Sequence, residues 1–333
     1  MSVTIIAGGF WGDEGKGKIS AYLSIADKPA IVGRAGVGPN AGHTVYHEGQ
    51  KIVMRQLPGG FVNPSSRLLI GAGVLVNPEV LLNEIETLAV AGRVGVDPHC
   101  AIIEQEHIDQ DRGSKHLSKT VGTTGTGCGP ANEARARRQV KLAEQIESLR
   151  PYLIDVAAEV NAAVRQGQDV LVEGSQGFGL SLFHGDYPYV TSKDVTASSF
   201  AADVGLGPTR VDDVVVVYKA YASRVGAGPF PTEMPHERVE ELGWEEFGAV
   251  TGRPRRIGEF DYDVARRSAM INGATQLAIT NLDRRFAAAF AASRLEDLPA
   301  EAREFIDGVQ EAIGIPVTLI STGPDLEHMV DLR

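Results

Sequence analysis

A chain of 333 residues with 43% hydrophobic and 23% charged residues has the composition of a globular protein, and its 38 glycines point to many tight backbone sites. A formal net charge of -11 excludes a general nucleic-acid coat, which needs a surplus of Lys and Arg, so any anionic ligand must be met by local cations. Cys100 and Cys128 are its two cysteines and stand in no paired-ligand spacing, which argues against a disulfide framework or zinc site and for a reducing cytoplasm.

The N-terminal run MSVTIIAGGFWGDEGKGK shows neither a basic leader nor a long apolar core, and no later stretch reaches bilayer length, so neither export nor a membrane is expected. Short β-branched runs at Val3 to Ala7, Leu68 to Ile70, Val170 to Val172, Val214 to Tyr218, Leu277 to Thr280 and Val317 to Ile320 predict buried strands. Between them, Pro78 to Ala91, Val140 to Gln166, Asp261 to Asn272 and Pro299 to Ile313 carry apolar residues at helical spacing. This alternation predicts an α/β fold, one domain over residues 1–333 with a central, mostly parallel sheet flanked by helices. The Gly-, Thr- and Pro-rich stretches 33–44, 121–132, 174–196, 222–235 and 250–258 include several that follow strands, where open α/β sheets bind ligands.

Gly8-Gly9-Phe10-Trp11-Gly12-Asp13-Glu14-Gly15-Lys16-Gly17-Lys18 lies between a strand and a helix, the place for a phosphate cradle built from inward N–H groups, a helix N-terminus and a lysine. Gly12 to Lys18 has the G-x-x-x-x-G-K spacing of a P-loop, but Ile19 follows in place of the Ser or Thr that would ligate magnesium. Asp13 is the candidate oxygen ligand in its stead. A Gly-rich turn with solvated charges is the plainer alternative for this segment alone.

Gly36 to Thr44 sets Asn40 and His43 among small residues, a backbone suited to polar recognition and charge handling. Gly122 to Pro130 offers Thr hydroxyls, with Arg135, Arg137 and Arg138 following, although a basic run is most often a solvated helix face. Glu173-Gly174-Ser175-Gln176-Gly177 follows a strand, and Thr191 lies in Tyr187-Pro188-Tyr189-Val190-Thr191-Ser192; alone, both read as turns. Thr251-Gly252-Arg253-Pro254-Arg255-Arg256 gathers guanidiniums suited to a dicarboxylate. Asp283, ending Thr280-Asn281-Leu282-Asp283, is placed either to accept from guanine or to cap a helix.

Together these motifs, W-G-D-E-G-K-G-K, N-A-G-H-T, Y-P-Y-V-T-S, R-V-G-A-G-P-F-P-T-E and T-G-R-x-R-R, resemble adenylosuccinate synthetases from Val3 to Ser321-Thr322-Gly323-Pro324. The resemblance implies a P-loop-NTPase-related fold and a ligase that phosphorylates O6 of a purine monophosphate, then displaces the phosphate with L-aspartate. Asp13 would act as base at the purine N1–H and His43 would stabilise the moving phosphoryl group. Asp13 and the Gly42 carbonyl would hold Mg2+; Gly12, Gly15, Lys16, Gly17, Gly42 and Thr44 would surround the donor phosphates. Asp13, Asn40, Thr124, Gln176, Thr191, Val225 and Arg253 would contact the purine monophosphate, with Arg138 reaching across a homodimer interface. Thr251, Arg253 and Arg255 would bind aspartate, and Asn281, Asp283, Ser321 and Gly323 the donor base.

Four residues depart from the family pattern: Phe10 for Gln, Thr126 for Arg, Pro254 within the arginine run and Asn281 for Lys. The length resembles the compact archaeal form, which has a relative in phages with 2-aminoadenine DNA. The expected reaction is IMP with aspartate and GTP in the cytoplasm. The alternative is a phage-type enzyme in host cytoplasm, taking dGMP or GMP with ATP or GTP. A non-catalytic nucleotide-binding protein, the alternative from another class, sits poorly with Asp13, His43 and the arginine loop occurring together.

Overall fold

A computed structural model of the chain describes residues 2–248, 252 and 254–333. Nine strands form its main sheet: β1 (Val3–Gly8), β2 (Ile31–Arg34), β3 (Arg67–Ile70), β4 (Val94–Val96), β5 (Val170–Glu173), β6 (Asp213–Lys219), β7 (Gln276–Thr280), β8 (Val317–Ser321) and β9 (Met329–Asp331). Their order is β9-β8-β7-β6-β1-β5-β2-β3-β4. Every neighbouring pair is parallel except β8 with β9. All six expected strands are here; β2, β4 and β9 were not foreseen.

The two-residue period of the central strands sorts their side chains into two apolar layers. Ile5 shares one layer with Val172, Val216 and Ile279, while Ile6 faces the other with Leu171, Val215 and Ala278. Burial on both faces explains why these strands read as continuous apolar runs, and each buried Val, Leu or Ile side chain among them contributes roughly 1.5–3 kcal/mol. No helix among the described residues is long and apolar enough to cross a membrane, and both cysteines are free and buried.

Helices Pro78–Thr87, Tyr262–Asn272 and Ala300–Ile313 fall where the apolar periodicity places them. Asn77 and Asp261 cap the first two by accepting from Val80 N–H and Val264 N–H. The expectation of a helical segment from Val140 to Gln166 is corrected: 3-10 turns at Ala143–Gln145 and Glu147–Tyr152 precede a helix confined to Val156–Arg165. Pro151 has no N–H to continue a ladder, and Asp155 restarts the chain as a cap, accepting from Ala158 N–H at 2.8 Å. The loops leaving the carboxyl ends of β1, β2, β5, β6 and β7 converge on one cleft.

Candidate active site

Between β1 and helix α1 (Lys16–Ala26), the loop is shaped by Glu14. Its buried carboxylate accepts from Phe10 N–H at 3.1 Å and Gly12 N–H at 2.8 Å, and pairs with Lys16 at 2.6 Å. Gly12, Asp13 and Gly15 take left-handed conformations, with φ of 93°, 58° and 86°. Asp13 thus accepts a conformation that favours glycine, and its exposed side chain lies at the cleft. The first turn of α1 opens into the same cleft, where unpaired N–H groups and the helix dipole favour an anion.

The P-loop spacing would put Lys18 on the phosphates, but the structure turns it away. Its buried Nζ donates to Ser321 Oγ at 2.8 Å, the Gly323 carbonyl at 2.5 Å and the His328 carbonyl at 3.0 Å. Lys16 lines the cleft instead. Ile19, at the hydroxyl position of a P-loop, is fully buried in the apolar layer around Ile6.

His43 begins the strand His43–His47 and is buried between Arg34 and Glu173. Arg34 Nη1 lies 2.8 Å from His43 Nδ1 and 2.6 Å from Glu173, and His43 Nδ1 also hydrogen-bonds Glu173. Glu173 accepts in addition from Gly59 N–H at 2.6 Å. Burial, reinforced by the Arg34 guanidinium, pushes the imidazole down to about 4, so it is neutral near pH 7. Burial alone would raise Glu173, but His43 and Arg34 hold it down at about 2. Gly17 packs against this group: a Cβ there would lie 2.8 Å from His43 Cβ.

The cleft has a volume of about 620 Å³, within the range of pockets that enclose drug-sized ligands. Gly12, Asp13, Gly15, Lys16, Gly17, Gly42, His43 and Thr44 line one part of it. Asn40, Thr124, Gln176, Thr191, Val225, Arg255 and Asn281 line it as well. Gln176 Nε2 donates to Asn40 Oδ1 at 2.9 Å, and Asn40 Nδ2 lies 3.5 Å from Thr191 Oγ1, so three of the expected purine contacts form one polar chain. Ser321 and Gly323 gather behind α1 around Lys18. Arg138 is exposed, lies outside the cleft and bonds the Ala136 carbonyl at 2.9 Å. Thr251 and Arg253 lie outside the described residues.

Arg255 is ion-paired with Asp13, and its Nε is 3.6 Å from Glu246. Lys219 reaches the same Glu246 at 2.5 Å and Tyr221 hydrogen-bonds it. Arg256, counted among the expected guanidinium cluster, is instead forked onto Glu233 at 2.7 and 2.5 Å and serves the loop's own structure. Sequence reasoning assigned no role to Glu14, Arg34, Glu173, Lys219 or Glu246. The available signal was position: Arg34, Glu173 and Lys219 are each the last residue of a buried strand, where a charge needs a partner or a function.

Comparison with known proteins bears on this site. The family model described as adenylosuccinate synthetase matches residues 5–146 and 137–287. Adenylosuccinate synthetase of Archaeoglobus fulgidus is 61% identical over 333 residues, covering all of this chain and 99% of that protein. The Pyrococcus horikoshii protein of the same name is 57% identical over 336 residues, again with 100% and 99% coverage. Fully ligated adenylosuccinate synthetase from Plasmodium falciparum shares the fold, with a TM-score of 0.93 at 24% identity and full coverage of both chains. Succinoaminodeoxyadenylate synthetase of cyanophage S-2L, bound to dGMP and dATP, has a TM-score of 0.82 at 27% identity, covering 100% of this chain and 95% of that one. The α/β architecture and the full-length identities agree: this chain belongs to the adenylosuccinate synthetase family and is a carbon–nitrogen ligase of purine biosynthesis.

Proposed function

We propose that the protein joins L-aspartate to C6 of IMP, with GTP as phosphoryl donor, giving adenylosuccinate, GDP and phosphate. The observation that carries this reading is the meeting of Asp13, His43 and Arg255 at one cleft beside the first turn of α1. Asp13 takes the proton from N1 of the purine, so that O6 gains the electron density needed to attack the γ-phosphorus and release GDP. His43, held on Nδ1 by Glu173 and close to the Arg34 guanidinium, stabilises the negative charge that builds on the phosphoryl oxygens. The aspartate amine then attacks C6, the C6–O6 bond breaks, and phosphate leaves. Arg255, with Thr251 and Arg253 beside it in sequence, holds the aspartate carboxylates.

Asn40, Gln176 and Thr191 bind the purine monophosphate through their shared polar chain, with Thr124 and Val225 across the cleft. Arg138 reaches the monophosphate of a second subunit in a homodimer; its exposed position outside its own cleft supports this. Residues 1–333 act as one domain, supported by a main sheet whose strands come from both ends of the chain. The enzyme works in the cytoplasm.

Mg2+ fits the donors present: the Asp13 carboxylate and the Gly42 carbonyl are hard oxygens at residues lining the same cleft. When bound there, the ion neutralises charge on the transferring phosphates. Asp13 must first leave Arg255, which the incoming aspartate carboxylates permit.

IMP is favoured over the phage-type dGMP or GMP reading because the archaeal relatives named adenylosuccinate synthetase are far more similar than the cyanophage enzyme. Purified protein with aspartate and Mg2+ is expected to convert IMP with GTP and to leave dGMP with ATP unchanged. Conversion of dGMP alone would overturn the choice of purine. Loss of activity on dilution, with hybrid dimers of Arg138→Ala and Asp13→Ala chains regaining it, tests the shared site.

A further inference from the structure

Lys18 has the sequence position of a phosphate-binding lysine, but its surroundings belong to another part of the site. The ammonium carries three N–H donors, and three acceptors surround it: Ser321 Oγ, the Gly323 carbonyl and the His328 carbonyl. Ser321 Oγ also donates to the Gly323 carbonyl at 3.2 Å, so the turn after β8 closes onto Lys18. Asp283, on the short helix Leu282–Arg285 after β7, interacts electrostatically with the same ammonium.

We propose that Lys18 is a positioning residue that selects guanine in the donor-base pocket, by pinning the 321–323 turn and facing Asp283 with a positive charge. This rests on the reading of Asp283, Ser321 and Gly323 as the donor-base pocket and of GTP as donor. An ionised carboxylate accepts from the guanine N1–H and 2-amino group, whereas adenine turns an N1 lone pair toward it and has no 2-amino group. The charge on Asp283 therefore decides the discrimination. Burial raises Asp283, while a backbone hydrogen bond and Lys18 pull it back toward the ionised form. Without the ammonium, the carboxyl shifts toward protonation, where its O–H suits adenine N1. Burial equally lowers Lys18, to about 7, and Asp283 and Asp325 oppose that loss of charge. Each group thus favours the charged form of the other.

The test compares GTP and ATP as donors for the full-length enzyme and for Lys18→Gln, with saturating IMP and aspartate. Lys18→Gln is expected to lower kcat/KM for GTP by about tenfold or more, with the value for ATP held or raised and the KM for IMP unchanged. Lys18→Arg should keep the preference for guanine. An equal loss with GTP and ATP would assign Lys18 to the phosphates and overturn the proposal. Should Lys18→Gln fail to fold, Ser321→Ala removes one acceptor at little cost in volume; a KM increase for GTP without one for ATP supports the proposal, and a parallel change or none overturns it. Equal use of both donors by the unmutated enzyme would instead overturn the guanine reading beneath it.

Discussion

Arg255 and Asp13 form an ion pair at the cleft, so the cation assigned to aspartate rests on the carboxylate assigned to the purine N1–H. Glu246 stands behind Arg255, and Lys219 balances Glu246. Side chains from four separate segments thus neutralise one another's charge at the cleft. Burial lowers Arg255 to about 10, a cost that an ion pair offsets. Under the roles proposed above, entry of the aspartate carboxylates would exchange one anionic partner of Arg255 for another and free Asp13.

Arg255→Ala should raise the KM for aspartate roughly 10- to 100-fold, the loss of a charge-assisted hydrogen-bonding group, with a smaller effect on IMP. Asp13→Ala should reduce kcat at least about 100-fold, in line with the loss of a general base, while far-UV circular dichroism stays unchanged because Asp13 is exposed. Steady-state kinetics on both variants checks the assignment; near-normal turnover by Asp13→Ala would refute its role.

Glu173 touches no expected substrate position, yet it supports His43 and neutralises Arg34. Glu173→Gln leaves the Arg34 guanidinium buried without its anion, which should destabilise the fold by about 3–5 kcal/mol. It also replaces the carboxylate that orients Nδ1 with a neutral amide, a weaker acceptor whose NH2 can turn to the ring in its place, so kcat should fall about 100-fold at temperatures where the variant remains folded. Urea denaturation and single-turnover rates measure the two effects separately. A stability loss with kcat unchanged would make Glu173 structural only.

Gly17 was grouped with the phosphate-binding glycines, and the structure supplies a second reason for it. A Cβ would stand 2.8 Å from His43 Cβ and 3.4 Å from His43 Cα. Gly17→Ala must therefore displace His43 or tilt α1, and kcat should fall roughly 100-fold, the scale expected for a misplacement of about 1 Å. The KM for aspartate should hardly change, because Arg255 is on another loop. Unaltered kcat would show that the helix start moves freely.

The central strands were legible because parallel strands buried on both faces are nearly uniform apolar runs, as in Val3 to Ala7 and Val214 to Tyr218. Strand Ile31–Arg34 was not, since only Ile31 and Val32 are apolar before it ends in Gly33 and Arg34. Arg34 makes sense only beside Glu173, 139 positions away. The loops that line the cleft were legible as Gly-rich segments following strands, whereas the charges that orient their side chains come from distant strand ends. Lys18 was misleading for the opposite reason: a local spacing implies phosphate contact, but the acceptors at residues 321–328 draw its side chain elsewhere. The break between Val140 and Gln166 was visible in Pro151 and Asp155, but apolar periodicity alone ran through it.

The His43 and Glu173 group also makes stability depend on acid in a defined direction. Folding lowers His43 from 6.5 to about 4, through burial first and Arg34 second. Below pH 6.5 the unfolded chain binds a proton there that the folded chain refuses, so stability must fall as the pH drops from about 6.5 toward 4. Glu173 is also depressed in the fold, from 4.5 to about 2, so its contribution is present above 4.5 and is lost as the pH falls toward 2. Both terms have the same sign, and their windows overlap only between about 4 and 4.5. Replacing His43 with Asn removes the upper window and moves the lower one, since His43 helps to hold Glu173 down; between pH 7.5 and 5 the variant's urea midpoint should fall less than that of the unmutated protein. An equal fall would mean that His43 titrates alike in the folded and unfolded chain, and a larger fall in the variant would mean that the fold holds His43 protonated, its part in phosphoryl transfer then beginning from the cation.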